Sequence, residues 1–401
     1  MRTVLYGVLA GLLLLAPLAV TSYGTASAQS QVSIDGAGAT FPFPLIDTWR
    51  VEYQDVRPNV SLNYQSIGSG GGIRQFTEMT VGFGATDAPL TQAQRDALPG
   101  VAVHVPETIG SVVATYNLPG VESGLHLTGP IIADIFLGVI DRWDDPAIAE
   151  LNPDVSLPAR DIIVVHRSDG SGTTFVWTSY LSLVSSGWED EVGSGTAVQW
   201  PTGIGAPGNE GVANSVRNTP YSMGYNELAY ALTTGMDYAS IQNQAGNFVE
   251  PSLDSTAAAV EALAGTLPAG DASWENVSLL DAPGEDSYPI ASFSYILLYK
   301  DMSTNPSINQ QEAEEIVRFV SWAVTDGQEF AEPLEYVPLP EAVREHNLEI
   351  LRSLTYGNTS LSTAVVPEFG VIAALVLGAS IVGVVAYSRF RGIGAGQKGP
   401  L

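Results

Sequence analysis

A strand that runs directly into a helix is most clearly written in Ile162-Ile-Val-Val-His-Arg-Ser-Asp-Gly-Ser-Gly-Thr-Thr-Phe175. The β-branched start predicts a buried strand, and Ser171 and Thr173 supply hydroxyls where the helix would begin. The N–H groups and positive dipole end of such a helix favour an anion, and Arg167 adds a planar guanidinium suited to an oxyanion. Asp169 would brace Arg167 rather than contact a ligand. The plainer alternative is a capped helix with a surface ion pair.

The same alternation of strands and helices runs along the body of the chain. Apolar runs of strand length and segments of helix length follow one another, at residues 60–64, 81–85, 112–116, 162–166 and 295–299 for strands and 42–54, 73–79, 130–138, 173–184 and 309–325 for helices. Such alternation predicts an α/β fold with helices on both faces of its sheets. Residues 29–363 number 335, which is enough chain for two lobes.

Two further corners between a strand and a helix carry small residues and hydroxyls. Ligands of open α/β sheets bind beyond the carboxyl ends of the strands, so these corners are the candidate site. In Gly36-Ala-Gly-Ala-Thr-Phe-Pro42, Thr40 lies where a hydroxyl meets the free N–H groups of a helix start. In Ile67-Gly-Ser-Gly-Gly-Gly72, the glycines expose consecutive N–H groups beside Ser69. Each alone is also typical of an ordinary glycine turn.

A carboxylate lies at the end of another predicted strand, in Phe83-Gly-Ala-Thr-Asp-Ala-Pro89. An ionised Asp87 can only accept hydrogen bonds, so it would accept one from a protonated oxyanion and repel a fully ionised one. Phosphate is protonated at neutral pH and sulfate is not, so Asp87 favours phosphate over sulfate. The alternative is an aspartate that simply forms the turn before Ala-Pro.

The composition narrows the possible functions. The chain of 401 residues has no cysteine and four histidines, which removes disulfides and thiolate metal sites, and no metal or cofactor is predicted. It has 43 acidic and 16 basic residues, for a net charge of −27. A protein that binds nucleic acid by neutralising phosphates is therefore excluded.

The two ends of the chain predict export and attachment to a membrane. Residues 1–28 have a basic start, an apolar run and Ala26-Ser-Ala28, as in a cleavable signal peptide. Residues 369–387 form an uncharged run long enough to be a transmembrane helix, and the basic tail at 388–401 would stay in the cytoplasm. Residues 356–368 are expected to be a stalk. The body would thus be extracytoplasmic and anchored to the outer face of the cell membrane.

Pro367-Glu-Phe-Gly370 lies just before the apolar run of the C-terminal end. This arrangement resembles the PEFG-type sorting signal (PEFG-CTERM) of archaeal surface proteins. In those proteins an archaeosortase acts on the tail. The resemblance implies an archaeal source and an archaeosortase as a partner, and it leaves open whether the helix survives processing.

Several motifs in order resemble the phosphate-binding proteins of bacterial and archaeal phosphate ABC transporters, a family of type II periplasmic binding proteins. The resemblance covers about residues 32–350. The shared motifs are Gly36-Ala-Gly-Ala-Thr-Phe-Pro42, Ala85-Thr-Asp-Ala-Pro-Leu90, Asp169-Gly-Ser-Gly-Thr173, Trp200-Pro, Gly208-Asn209 and Gly224-Tyr225. The chain departs from the family at Gly70, where a second serine is frequent, and at His166, where a basic residue is frequent.

The resemblance implies a two-lobed fold with the ligand in the cleft between the lobes. Lobe one would comprise residues 32–112 and 288–355, and lobe two residues 113–287, with hinge closure around inorganic phosphate and delivery to ABC permease and ATPase subunits. The implied phosphate ligands are Thr40, Phe41, Ser69, Asp87, Arg167, Ser171, Gly172 and Thr173, with Asp169 in support.

Three alternatives to a transporter subunit are weighed. A phosphatase-like enzyme could use Ser171 as a nucleophile, but Ser168-Asp-Gly-Ser-Gly172 departs from the G-x-S-x-G elbow at Asp169. The prediction is therefore a binding protein and not an enzyme. A binder of another oxyanion, such as sulfate or molybdate, would not be expected to need Asp87. The sequence does not exclude a phosphate sensor or surface scavenger without a transporter.

Overall fold

The computed structural model describes residues 31–261 and 267–365 of the chain. The predicted signal peptide at 1–28, the transmembrane helix at 369–387 and the basic tail at 388–401 lie outside the described residues. Within the described ranges, no helix is long and apolar enough to cross a membrane.

Strands and helices alternate over most of the described chain. The strands are β1 (Val32–Gly38), β2 (Val60–Ser66), β3 (Phe83–Thr86), β4 (Ala102–Asn117), β5 (His126–Leu127), β6 (Ile163–Arg167), β7 (Ile204–Ala206), β8 (Ser222–Glu227), β9 (Asp237–Tyr238), β10 (Ser240–Gln242), β11 (Phe248–Val249), β12 (Leu279–Leu280), β13 (Ile290–Tyr299), β14 (Thr355–Tyr356) and β15 (Thr359–Ser360). The helices are α1 (Phe43–Val56), α2 (Ser69–Thr77), α3 (Gln92–Ala97), α4 (Gly129–Leu137), α5 (Pro146–Leu151), α6 (Gly172–Val184), α7 (Ser186–Glu191), α8 (Gly208–Asn218), α9 (Leu228–Thr234), α10 (Leu253–Glu261), α11 (Gln310–Ala323) and α12 (Glu341–Arg352).

The main sheet has the order β2-β1-β3-β13-β4-β8-β6-β7. β1 is parallel to β2 and β3, and β6 is parallel to β7 and β8, so each end of the sheet is built from parallel strands. Between them β13 and β4 run antiparallel to their neighbours. The carboxyl ends of β1, β2 and β6 lead into the three corners singled out in the sequence, and the carboxyl end of β3 leads to Asp87.

β4 is the element that joins the two ends of the sheet. Its sixteen residues are buried throughout except for Asn117, which is partly buried. Residues up to Ser111 pair with β13, whereas Val112 onward pair with β8. The sequence analysis predicted only the second half of this strand, at residues 112–116, because His104, Pro106 and Glu107 interrupt the apolar run that a strand covered on both faces usually shows.

The helices bury the side chains that their spacing predicts. α11 begins with a capping box, in which Asn309 Oδ1 accepts from Glu312 N–H at 3.1 Å and Glu312 Oε2 accepts from Asn309 N–H at 2.8 Å. Its apolar stripe of Ile316, Phe319 and Val320 is fully buried. Such helices on the sheet faces confirm the predicted α/β class.

The expected stalk at residues 356–368 is wrong for its first part. β14 and β15 form a hairpin, and Leu361, Ala364 and Val365 are at most 1% exposed. Ser321 on α11 donates a hydrogen bond from its hydroxyl to the Val365 carbonyl at 3.2 Å. The folded body therefore continues to Val365, because these apolar side chains pack under a segment that looks polar in the sequence. Residues 366–368 lie outside the described residues.

Candidate anion-binding site

Four widely separated segments of the chain meet in one buried place. Thr40 follows β1, Ser69 begins α2, Asp87 follows β3, and Arg167 ends β6 just before α6. Each of these four side chains is at most 3% exposed. The first turn of α2 also touches the segment before α6 directly, since Gly70 N–H donates to the Gly170 carbonyl at 2.9 Å.

Arg167 is the buried cation of the site, and Asp169 holds its guanidinium. Arg167 Nε and NH2 lie 2.8 and 2.5 Å from the two oxygens of Asp169, which is a bidentate pair. Gly208 N–H also donates to Asp169 Oδ1 at 3.1 Å. Burial opposes the charge of Asp169, but its hydrogen bonds and pairing with Arg167 lower its pKa below the usual value. This geometry agrees with the predicted bracing role of Asp169.

Thr40 and Thr173 are joined by Asn209, the second residue of α8. Asn209 Nδ2 donates to Thr40 Oγ1 at 2.8 Å and to Thr173 Oγ1 at 3.1 Å, and Asn209 N–H donates to Thr40 Oγ1 at 3.2 Å. Both hydroxyls thus act as acceptors toward Asn209. Their own hydrogens, which are used in no other hydrogen bond among the described residues, remain available to be donated to an anion.

Ser171 and Gly172 form the start of α6. Ser171 Oγ caps the helix by accepting from Thr174 N–H at 3.0 Å. Gly172 must be small, because a Cβ built on it would lie 2.5 Å from both Asp87 Oδ2 and Ser69 Oγ. The helix start therefore approaches the carboxylate and the serine of the opposite corners more closely than any other residue would allow.

One carboxylate oxygen of Asp87 lies where the four segments meet, next to Gly172 and Ser69. Its Oδ1 accepts from the Ser294 hydroxyl at 2.9 Å, while its Oδ2 is buried and has no hydrogen-bond partner among the described residues. Burial raises the pKa of Asp87 to about 7, against the lowering effects of the Ser294 hydrogen bond and the Arg167 charge. A buried carboxylate oxygen without a partner is costly, so Oδ2 is an acceptor that a hydrogen-bond donor on a ligand would satisfy.

Phe41 contributes to the site through its main chain. Its ring is completely buried, 6.3 Å from the ring of Tyr336, and the Tyr336 hydroxyl donates to the Phe41 carbonyl at 2.7 Å. The Tyr230 hydroxyl donates to the Thr40 carbonyl at 2.6 Å. These two tyrosines fix the main chain just before α1, where the N–H groups of Thr40 and Phe41 donate to no acceptor among the described residues.

The arrangement suits a small tetrahedral oxyanion that carries a proton. Helix starts, hydroxyl donors and one guanidinium provide hydrogens, and Asp87 provides a single acceptor. Among residues 31–261 and 267–365, no group of three or more His, Asp or Glu side chains could hold a metal ion.

Comparison with known proteins gives the family. The PBP superfamily domain matches residues 24–326. The phosphate-binding protein PstS of Pasteurella multocida is 46% identical over 340 residues, which cover 82% of this chain and 92% of that protein. The chain belongs to the PstS family of phosphate-binding proteins. PstS of Methanocaldococcus jannaschii is 37% identical, over 81% of this chain and 87% of its own length.

Solved structures of phosphate-binding proteins share the fold. The phosphate-binding protein from Stenotrophomonas maltophilia superposes with a TM-score of 0.61 at 19% identity, covering 81% of this chain and 99% of that one. The expected fold of periplasmic phosphate-binding proteins is confirmed. Membership of the family does not test the predicted PEFG-type signal, and residues 367–370 lie outside the described residues.

The sequence reasoning missed two polar residues of the site. Asn209 could have been found, since Gly208-Asn209 follows a strand and begins a helix like the other corners. Ser294 could not, because it lies within the antiparallel strand β13 and no local pattern distinguishes it from its neighbours.

Proposed function

We propose that the protein captures inorganic phosphate outside the cytoplasmic membrane and delivers it to the permease and ATPase subunits of an ABC transporter. The proposal rests on one observation. The buried hydroxyls of Thr40 and Thr173 accept from Asn209 and so keep their own hydrogens for a ligand, next to Arg167 and to Asp87 Oδ2, which has no partner among the described residues. The relatives in the family are named as phosphate-binding proteins, which agrees with that chemistry.

Each predicted site residue takes a role in this proposal. Arg167 pairs with the anion, and the remaining donors close around it: Thr40, Phe41, Ser69, Ser171, Gly172 and Thr173. Asp87 accepts the hydrogen of the phosphate hydroxyl, so sulfate, which has no such hydrogen at neutral pH, would face an unpaired carboxylate.

Capture would proceed by closure of two lobes about the middle of β4. The proposed lobes are residues 32–112 with 288–355 and residues 113–287. The pairing of β4 changes from β13 to β8 between Ser111 and Val112, which supports a crossing there. Phosphate would stabilise the closed form through contacts that both lobes supply only when they are together.

The proposed location is the outer face of the cell membrane. A signal peptide at 1–28 would direct export, and the apolar run at 369–387 would anchor the body unless an archaeosortase processes the PEFG-type tail. The segment between the folded body and the anchor would then be short, because Leu361, Ala364 and Val365 are packed in the body.

We assign no catalytic role to Ser171. Its hydroxyl accepts from Thr174 N–H at 3.0 Å, and no hydrogen bond among the described residues joins it to a histidine. His166 Nδ1 lies 2.9 Å from the Arg167 carbonyl, and its ring stacks on Trp200 at 4.7 Å. The nearest histidine in sequence is thus engaged elsewhere and does not act as a base for Ser171.

Calorimetric titration of the purified full-length protein with phosphate, arsenate and sulfate tests the proposal. Phosphate should bind much more tightly than sulfate, and Asp87→Asn should admit sulfate more readily because the amide no longer repels it. Unchanged selectivity in Asp87→Asn would overturn the account of selectivity. Absence of phosphate binding in the wild-type protein would overturn the proposed function.

A further inference from the structure

A second buried carboxyl lies behind Asp87. Glu107 is at 0% exposure in the middle of β4, and Pro106 and Thr108 pair with the consecutive residues Tyr295 and Ser294 of β13. Glu107 is therefore the extra residue of a β-bulge. Bulges re-aim a side chain, and this one brings the Glu107 carboxyl to the Ser294 hydroxyl.

Ser294 lies between the two carboxyls. Its Oγ is 2.9 Å from Asp87 Oδ1 and 2.9 Å from Glu107 Oε1. A hydroxyl has one hydrogen, so it can donate to only one of them. The other contact is a hydrogen bond only when that carboxyl carries a proton and donates to Ser294 Oγ. The pair therefore shares one proton.

The surroundings place that proton on Glu107. The charge of Arg167 and the hydroxyl of Ser69 both favour the ionised form of Asp87. No cation contributes in this way at Glu107, and its Oε2 is buried without a hydrogen-bond partner among the described residues. An unpaired buried charge costs more than a paired one, so Glu107 is the neutral member of the pair.

We infer that Glu107 is a positioning residue of the phosphate site: its protonated carboxyl donates to Ser294, which then donates to Asp87 and keeps Asp87 an acceptor for the phosphate hydroxyl. This inference rests on the proposed function. The selectivity of the site would then depend on three hydrogen-bonded side chains, Glu107, Ser294 and Asp87, of which Glu107 does not contact the ligand.

The electrostatics support this arrangement. Burial, against the lowering effect of the Ser294 hydrogen bond and with a contribution from the nearby charge of Asp87, raises the pKa of Glu107 to about 8. The corresponding value for Asp87 is a pKa of about 7. The other ionisable groups that act on the pair lie on several elements, namely Tyr64, Arg167, Glu227, Tyr295 and Tyr336.

The pH dependence of phosphate binding tests the inference. In Glu107→Gln the amide is a permanent neutral donor to Ser294, whereas wild-type Glu107 ionises at high pH and adds a second buried negative charge. We measure Kd for phosphate in both proteins from about pH 6 to about pH 9.5, so that the titration of phosphate itself cancels in the ratio. The ratio of wild-type to variant Kd should be level below pH 8 and then rise by up to about tenfold per pH unit.

An exposed glutamate supplies the matched control. Glu341 begins α12 on the surface, so Glu341→Gln should give a ratio that does not change with pH. A level ratio for Glu107→Gln over the whole range would overturn the inference. Failure of the wild-type protein to bind phosphate at any pH would refute the proposed function instead.

Infrared difference spectroscopy of the protein without added phosphate locates the proton independently of binding. In the difference between the wild-type and Glu107→Gln spectra at neutral pH, the C=O stretch of a protonated carboxyl should remain, because buried Glu227, whose pKa is also raised, contributes to both spectra and cancels. The same band should shift in Ser294→Ala and persist in Asp87→Asn. A band that is absent from this difference and is instead lost in Asp87→Asn would place the proton on Asp87 and overturn the inference.

Discussion

The two sides of the anion site act on a bound anion in opposite ways. The carboxyl side, made of Thr40, Ser69 and Asp87, contains no cation and has Glu107 buried behind it. The guanidinium side, made of Arg167 and residues 169–173, has the one cation, held by Asp169 at its edge. An anion is thus attracted from one side and selected from the other.

This difference explains how a protein of net charge −27 can hold an anion. The overall charge acts on solubility and on the approach of the ligand, whereas the bound anion responds to nearby dipoles, hydroxyls and one guanidinium. The acidic groups at the site are either paired, as Asp169 is, or neutral, as inferred for Glu107. Of the acidic groups discussed, Asp87 is therefore the one that faces the ligand with an unpaired negative charge.

Removal of the cation should have the largest effect on this comparison. Arg167→Met deletes a buried charge-assisted partner of phosphate, and we expect binding to weaken by about 3 kcal/mol, or over a hundredfold. Calorimetry with phosphate measures it. Arg160→Met removes an exposed arginine that lies over the Tyr221 ring and should leave Kd unchanged. An Arg167→Met protein that binds within about threefold of wild type would show that the guanidinium side is not the attracting side.

The carboxyl side should also govern how stability depends on pH. Burial raises the pKa of Asp87 to about 7 and that of Glu107 to about 8, so between about pH 5 and pH 8 the folded protein binds more protons than the unfolded chain. Stability without phosphate should therefore fall as pH rises through this window, on the order of 2 kcal/mol. The lowered pKa of Asp169 acts the other way, since its contribution is lost only in acid.

Denaturant unfolding at several pH values checks this expectation. Glu107→Gln should flatten the fall, and Glu341→Gln should leave its slope as in the wild-type protein. A stability that rises between about pH 5 and pH 8 would contradict the raised pKa values of Asp87 and Glu107 on this side.

The guanidinium side could be predicted from the sequence because it is local. Arg167, Asp169 and Ser171 lie within five residues, and a strand running into a helix dictates their relative positions. The alternation of strands and helices likewise predicted the α/β class. Both inferences use short-range rules that the chain obeys without knowledge of its partners.

The carboxyl side could be predicted only in part. Thr40, Ser69 and Asp87 each follow a strand, whereas Glu107 and Ser294 lie within strands. Glu107 and Ser294 are brought together by the register of β4 on β13, including a bulge, across a separation of 187 residues. Neither residue differs locally from an ordinary strand residue. The prediction of a stalk from residue 356 was wrong for a related reason. Leu361 and Val365 are buried in the body, where Val365 contacts the distant helix α11.

A substitution at the contact between the two sides, where Gly70 meets Gly170, should have the smallest effect on phosphate binding. A Cβ added to Gly70 would lie 3.0 Å from Gly170 Cα, beside the hydrogen bond that joins these segments. Gly70→Ala should therefore hinder closure and weaken phosphate binding about fivefold, equivalent to about 1 kcal/mol.

A matched glycine distinguishes hindered closure from general destabilisation. A Cβ on Gly187, in α7, would meet no atom closer than 3.7 Å, so Gly187→Ala should leave Kd unchanged and should not lower stability, because alanine is the better helix former. Small-angle scattering with saturating phosphate should show Gly70→Ala less contracted than wild type if the added methyl holds the sides apart. Equal contraction together with equal Kd would mean that the contact at Gly70 adapts, and that the two sides are coupled through the anion alone.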